Sequence, residues 1–105
     1  MSLIAKTPRP PYYAVIFTSH RSDGDNGYGE MADRMVELAE KQPGFLGIET
    51  AREEVGITVS YWSDIESIKK WKTNSEHQEA QYIGRKSWYS EFRVRISKVE
   101  RDYGI

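Results

Sequence analysis

Residues 55–89 constrain the fold of this chain more than any other segment. They contain all three tryptophans, Trp62, Trp71 and Trp88, in a segment that opens with strand-like alternation and continues with helix-like spacing. Side chains of this size need a buried place in a core, a pocket or a subunit interface. The segment therefore predicts a buried strand followed by helix, with the core built around the tryptophans.

Strand geometry constrains the orientation of two neighbouring aromatic residues in this segment. Alternate side chains of a strand point to opposite faces of its sheet, so Tyr61 and Trp62 must diverge. One of the two is expected to face the helices and the other a partner subunit. The first predicted strand, residues 12–20, is apolar on both faces, with Phe17 on one and Ile16 on the other. Both faces of this sheet must therefore pack against another part of the protein or against a partner.

The order of elements predicts the fold class. The periodicity of apolar residues predicts the order β-α-β-β-α-β, with strands at 12–20, 45–52, 55–63 and 89–102 and helices at 28–42 and from 63 onwards. This order is typical of the ferredoxin-like α+β fold, an antiparallel sheet with both helices on one face. We expect one domain at 12–105, preceded at 1–11 by an extended, proline-rich N-terminal arm. A second copy packed sheet against sheet would bury the remaining face, which predicts a homodimer.

Several finer predictions concern the second half of the chain. Ser63 and Glu66 have the spacing of a capping box at a helix start. Thr73 and Asn74 interrupt the apolar stripe that follows, and the cap pattern recurs at Ser75. We therefore expect a second helical segment to begin at that serine. In the last strand Val99 falls out of phase, which predicts a β-bulge near residues 97–98.

Composition excludes several classes of function. The net charge is −1, from 15 basic and 16 acidic residues, so nothing favours binding to nucleic acid or to an anionic membrane. Cysteine is absent, which removes disulfides and thiol chemistry and suits a cytoplasmic protein. With two histidines in all, the sequence predicts no metal site. Neither a phosphate-binding glycine loop nor a nucleophilic serine motif is present, so kinases and hydrolases are excluded.

The candidate site residues follow from the helical periodicity of this segment. His77, Gln81, Gly84 and Trp88 fall on one predicted helical face, which resembles a cavity wall more than a packed ridge. His77 could act as a general base or be a half-exposed histidine. Arg85 could bind an anionic or phenolate oxygen or form a surface ion pair. We also expect a group of aromatic residues to line the pocket, although each could be ordinary core: Trp62, Trp71, Tyr61, Phe17 and Tyr89.

A family resemblance adds to this reading. The runs at 43–47 (PGFLG) and 57–62 (ITVSYW), followed by Trp71, Glu76-His77, Gly84-Arg85 and Trp88-Tyr89, resemble the antibiotic biosynthesis monooxygenase family. The resemblance spans nearly everything after residue 11 and implies a dimeric α+β barrel. Members of the family include cofactor-independent oxygenases of aromatic phenols, quinol monooxygenases and haem-degrading enzymes.

The haem-degrading branch provides a specific comparison. It uses an Asn on the first strand, a Trp on the second helix and a haem-binding His almost three helical turns later. Trp71 matches the tryptophan, Gln81 takes the place of the histidine, and residues 12–20 contain no Asn. The resemblance thus favours a cofactor-independent monooxygenase of a small hydroquinone-like or phenol-like substrate, with His77 as base. The alternatives are a non-catalytic barrel that binds an aromatic ligand or haem, and a haem-degrading monooxygenase.

Overall fold

Four strands and two helices make up the described fold. The computed structural model describes residues 3–25, 27–79 and 88–105. The elements follow one another as β1 (Tyr12–Arg21), α1 (Tyr28–Glu40), β2 (Phe45–Arg52), β3 (Val55–Trp62), α2 (Ile65–Glu79) and β4 (Tyr89–Val99). The predicted ferredoxin-like α+β class is confirmed.

The strands form one antiparallel sheet in the order β2-β3-β1-β4. β1 is central: Val15 lies opposite Ser60 of β3 on one side and opposite Ile96 of β4 on the other. Residues opposite each other in an antiparallel pair project from the same face of the sheet. The register therefore assigns each side chain to one of two faces.

We call the face covered by the helices the helix face. It carries Trp62, which stacks on Trp71 of α2, and Phe17, whose neighbour Tyr89 contacts Tyr28 at the start of α1. The opposite face, here the open face, carries Tyr12, Ile16, Val59 and Tyr61. Tyr61 and Trp62 lie on opposite faces, as predicted, and Trp62 is the one that faces the helices.

Helix α2 begins with a different cap from the one predicted. Its first residue is Ile65, and the carboxylate of Asp64 accepts a hydrogen bond from the backbone N–H of Ser67 at 2.7 Å. Ser63 donates its hydroxyl to Asp64 at 3.1 Å instead of capping the helix. The predicted Ser63–Glu66 capping box is therefore wrong by one residue. The backbone N–H of Ser67 lowers the pKa of Asp64, because it stabilises the carboxylate form.

The predicted interruption at Thr73 and Asn74 is also wrong. Helix α2 runs without a break through Glu79. Thr73 donates its hydroxyl to the carbonyl of Lys69 at 3.2 Å, and Ser75 donates to the carbonyl of Lys72 at 3.0 Å. Hydroxyls that bond back to the preceding turn do not need to end a helix, which is why the polar residues misled the prediction. The rest of the predicted second segment, 80–87, lies outside the described residues.

The predicted bulge near residues 97–98 is absent from β4, whose register against β1 is regular from Val99 to Glu91. The register shifts instead at the other end of this pair, between His20 and Arg21 of β1. Val99 thus lies in regular register opposite Tyr12, on the open face. β4 ends at this residue, three positions before the predicted end.

The N-terminal arm packs against the open face of its own sheet. The backbone N–H of Ala5 donates to Glu49 Oε2 at 2.9 Å, and the side chain of Ala5 lies against Gly47. Thr7 donates its hydroxyl to the phenol oxygen of Tyr12 at 3.0 Å. These contacts help to bury Tyr12, which is only 4% exposed although it begins an apolar strand.

Gly44 generates a stability prediction. Its φ is +85°, and a Cβ on this residue would collide with Ser67 and lie 2.8 Å from Ser63 Oγ. We expect Gly44→Ala to lower the free energy of unfolding by about 1–3 kcal/mol, because it combines left-handed backbone strain with overlap. Urea denaturation would measure this loss. Gly104→Ala, which meets nothing within 4 Å, is the control, and equal stabilities of the two variants would contradict the prediction.

Candidate functional site on the helix face

One aromatic group lies at the end of the sheet where β3 finishes, and we call it the tryptophan group. Trp62 stacks on Trp71 with ring centroids 6.0 Å apart and meets Phe45 edge-on at 5.4 Å. Trp62 is fully buried and donates its indole N–H to Ser60 Oγ at 2.9 Å. Two of the predicted pocket residues are thus brought together. Trp62 is therefore part of the core, whereas Trp71 and Phe45 are half-buried.

A second aromatic group lies at the opposite end of the helix face, and we call it the tyrosine group. Phe17 contacts Tyr89 at 5.3 Å and stacks on Phe92 at 5.6 Å, while Tyr89 meets Tyr28 edge-on at 5.7 Å. All four side chains are half-buried. This group unites the predicted residues Phe17 and Tyr89 and adds two that the sequence analysis did not single out.

Small and medium-sized side chains separate the two aromatic groups. Tyr13, opposite Trp62, is four residues before Phe17 on β1, a spacing of about 13 Å along a strand. Between them the helix face carries Val15, Ser60 and Ile48 in register. The helix face therefore carries aromatic side chains at two ends, with less bulky side chains between them.

Tyr61 is separated from the other predicted pocket residues because it lies on the open face. Its phenol donates to Glu49 Oε1 at 2.6 Å, and its ring meets Tyr12 edge-on at 5.8 Å. Tyr12 in turn donates to Asp102 Oδ2 at 2.5 Å. Burial, followed by the hydrogen bond to a carboxylate, raises the pKa of both phenols. These paired groups tie the arm, three strands and the C-terminal segment together.

The proposed base, His77, lies in the last turn of α2 with an exposed side chain. Over residues 65–78 of this helix, the half-buried or buried positions are Ser67, Ile68, Trp71, Asn74, Ser75 and Gln78. His77 is adjacent to that stripe and accepts no hydrogen bond from any described residue. Gln81, which was predicted on the same helical face as His77, and Arg85, the predicted anion-binding residue, lie outside the described residues.

The second histidine and the last tryptophan have structural surroundings. His20 Nδ1 lies 2.8 Å from Ser90 Oγ at the edge of the open face. Trp88 is fully buried, and its carbonyl accepts hydrogen bonds from the backbone N–H of Ser22 and from Arg21 Nε. Trp88 therefore forms a packing corner between the loop after β1 and the start of β4. Within the described part of the chain, no three His, Asp or Glu side chains are grouped to hold a metal ion.

Sequence reasoning missed Tyr28, Phe92, Arg21 and Arg52. In the sequence, Tyr28 marks only the start of a predicted helix, Phe92 is one apolar residue of an alternating strand, and Arg21 begins a polar loop. Arg52 ends β2, where its partner across the sheet is Gly56. An arginine opposite a glycine is the one signal that could have suggested a side chain crossing the neighbouring strand.

The tyrosine–carboxylate pairs generate a prediction for alkaline pH. The pKa of an unfolded tyrosine is about 10, and folding raises the pKa of Tyr61. The folded protein then holds this proton more tightly, so its stabilising effect is complete below about pH 10 and is lost as the pH rises further. Tyr61→Phe should lower stability at pH 8 by about 1 kcal/mol and make the alkaline loss shallower.

Urea unfolding midpoints from about pH 8 to 11 measure this effect. The control is Tyr103→Phe, since Tyr103 is 88% exposed near the C-terminus. An alkaline slope as steep in Tyr61→Phe as in the unaltered protein would show that this phenol is not responsible.

Comparison with known proteins identifies the family. The family model described as antibiotic biosynthesis monooxygenase matches residues 11–82. The uncharacterized protein YqjZ of Bacillus subtilis (strain 168) is 54% identical over 103 residues, which cover 96% of this chain and 90% of that protein. No described helix is long and apolar enough to cross a membrane.

Two solved structures share the fold at low sequence identity. A variant of SnoaB, a cofactor-independent oxygenase from Streptomyces nogalater, superposes with a TM-score of 0.71 at 9% identity, covering 87% of this chain and 95% of that one. A putative antibiotic biosynthesis monooxygenase from Chloroflexus aurantiacus gives a TM-score of 0.59 at 17% identity, with coverage of 90% and 98%. Together with the model match over most of the chain, these findings establish that the chain belongs to the antibiotic biosynthesis monooxygenase family.

Proposed function

We propose that the protein is a cofactor-independent monooxygenase of small, electron-rich aromatic substrates such as hydroquinones, and that it acts as a homodimer. The observation that carries the proposal is the helix face, where half-buried aromatic side chains stand at both ends and smaller ones between. Aromatic rings prefer edge-on or offset contacts with other rings at 4.5–7 Å. Trp71 and Phe17 are the side chains best placed to contact such a substrate.

The reaction needs little from the protein beyond shape, desolvation and a base. A deprotonated hydroquinone or anthrone-like compound is electron-rich enough to pass an electron to O2 itself. In an anthrone a ring CH2 becomes C=O, and in a hydroquinone a ring C–H becomes C–OH while the ring is oxidised to the quinone. In both cases one oxygen atom enters the substrate and the other leaves as water, with all four electrons supplied by the substrate. SnoaB, a structural neighbour, is a cofactor-independent oxygenase. That description supports the proposed chemistry without extending to this chain.

His77 remains our proposed base. Its imidazole is exposed in the last turn of α2, where a substrate at this end of the helix could reach it. His20 is the less suitable histidine, because its ring is engaged with Ser90 and lies away from the helix face. A general base contributes typically 10²–10⁴-fold to a rate.

Oxygen uptake tests the activity and the base. With anthrone or a simple hydroquinone, we expect uptake above autoxidation that saturates with substrate and survives dialysis against a metal chelator. His77→Ala should lower kcat about 100-fold or more. His20→Ala is the matched control and should leave kcat unchanged.

Trp71→Ala should raise KM more than it lowers kcat, because it removes a binding surface and no proton acceptor. Saturable ligand binding without uptake would replace the proposal with a non-catalytic binding barrel. Unchanged kcat in His77→Ala would remove His77 from the role while leaving the oxygenase intact.

The dimer is proposed from the apolar residues that the single chain leaves exposed on its sheet. Val55 and Ile57 on the open face of β3 are 50% and 45% exposed. A second copy would cover such residues, as the dimeric barrels of this family do. The arm and the tyrosine–carboxylate pairs already cover the part of the open face near Tyr12.

Light scattering after size-exclusion chromatography tests the dimer. At micromolar concentration we expect twice the 12.2 kDa mass of the chain. Ile57→Asp should shift the protein toward the monomer, because it places an unpaired charge in the proposed interface. Val36→Asp alters an equally apolar side chain exposed on α1 and should leave the mass unchanged. A monomeric unaltered protein would contradict the proposal.

A further inference from the structure

Two arginines from different strands converge on one tyrosine at the end of the helix face. The guanidinium carbon of Arg21, at the end of β1, lies 3.5 Å from the ring centroid of Tyr28. The guanidinium carbon of Arg52, at the end of β2, lies 5.9 Å from the same centroid. Strand β3 separates β1 from β2 in the sheet, so this convergence requires one side chain to cross a strand.

Arg52 makes that crossing over Gly56. The two residues are opposite each other in the β2–β3 register, and a Cβ at Gly56 would collide with the guanidinium group. Beyond the glycine, Arg52 donates a hydrogen bond to the hydroxyl of Ser19 on β1, which is only 2% exposed. The absence of a side chain at position 56 and a buried acceptor at position 19 therefore hold the arginine in a defined place.

Neither arginine of this pair forms an ion pair with a described side chain. Arg21 donates to the carbonyls of Trp88 at 3.0 Å and of Gly24 at 2.9 Å, and Arg52 donates to a serine hydroxyl. The described ion pairs lie elsewhere, at Arg34–Glu37 and Lys72–Glu76. The nearby Asp25 directs its carboxylate to the backbone N–H groups of Gly27 and Gly29. Two cations near one ring repel each other, and an anion would relieve that cost.

The arginine pair is continuous with the tyrosine group. Tyr28, which both arginines approach, contacts Tyr89, and Tyr89 contacts Phe17. The positively charged arginine pair therefore lies next to the half-buried side chains of the tyrosine group. Arg52 is exposed, and Arg21 and Tyr28 are half-buried, so a ligand can reach the pair without unfolding the site.

We propose that Arg21 and Arg52 bind the carboxylate of an aromatic substrate whose ring lies against the tyrosine group. This inference rests on the proposed function, which it deepens by assigning the substrate class: an aromatic acid rather than a neutral hydroquinone. Arginine is the residue best suited to a carboxylate, because its planar N–H groups match the two carboxylate oxygens. Neither arginine was among the residues predicted from sequence.

A pair of redox-inert probes tests binding apart from turnover. Isothermal titration calorimetry would compare 2-naphthoate with 2-naphthamide, which have the same ring and differ in charge. We expect the protein to bind 2-naphthoate at least about 10-fold more tightly. Arg21→Gln and Arg52→Gln should each reduce that preference about threefold or more, and the double variant should abolish it, while binding of 2-naphthamide stays unchanged.

Three further variants separate charge from structure. Arg52→Lys keeps the charge and should keep part of the preference. Ser19→Ala removes the hydroxyl that accepts from Arg52 and should keep most of the preference if charge is what selects the ligand. Arg101→Gln is the matched control, because Arg101 also lies over a tyrosine ring, 5.3 Å from that of Tyr103, in the C-terminal segment. It should leave both affinities unchanged.

Three results would overturn the inference. One is failure of 2-naphthoate to bind with a Kd below about 1 mM. Another is equal affinity for the two probes. The third is a preference for 2-naphthoate that persists in the Arg21/Arg52 double variant, which includes the case in which Arg85→Gln abolishes the preference instead. Oxygen uptake with neutral hydroquinones but no carboxylate preference would refute this inference alone. A carboxylate preference without any oxygen uptake would refute the proposed activity and leave the binding site standing.

Discussion

The burial of Trp62 is the constraint on which the rest of the structure depends. Its indole is fully buried between Trp71 and Phe45, and its N–H finds an acceptor in Ser60 two residues earlier on the same strand. A buried indole of this size contributes on the order of 3–5 kcal/mol when truncation to alanine is the measure. Because strand side chains alternate, fixing Trp62 toward the helices fixes the face of every other residue in the sheet.

The two faces then take on different kinds of contact. The helix face is apolar and aromatic, with an arginine pair at one end. The open face combines apolar residues with phenols bonded to carboxylates, Tyr61 to Glu49 and Tyr12 to Asp102. A carboxylate that accepts from a phenol and a backbone amide is satisfied locally, so it can lie beside apolar neighbours at low cost. The two faces of this small sheet therefore differ in chemical character, one mainly aromatic and the other held by phenol–carboxylate hydrogen bonds.

The main features of the fold were predictable, and the errors share a cause. Strand β2 was predicted to the residue, and the element order followed from apolar periodicity alone. The prediction failed at two places: the polar Thr73 and Asn74 were taken to interrupt α2, and the phase of Val99 was taken to indicate a bulge in β4. Thr73 bonds back to its own helix, and Val99 faces the other side of an unbroken ladder. Local signals are weak wherever a helix or strand is held by long-range packing.

The sequence by itself determined the fold class, the family and the aromatic character of the helix face. These depend on periodicity and side-chain size, which are properties of neighbours along the chain. Tertiary structure alone decided which of Tyr61 and Trp62 meets the helices, and which pairs of the predicted pocket residues touch. It alone brought Arg52 across Gly56 to Ser19 and Tyr28. The contacts of Arg52 with Ser19 and Tyr28 join residues more than twenty positions apart, and they depend on strand order and register, which no local pattern encodes.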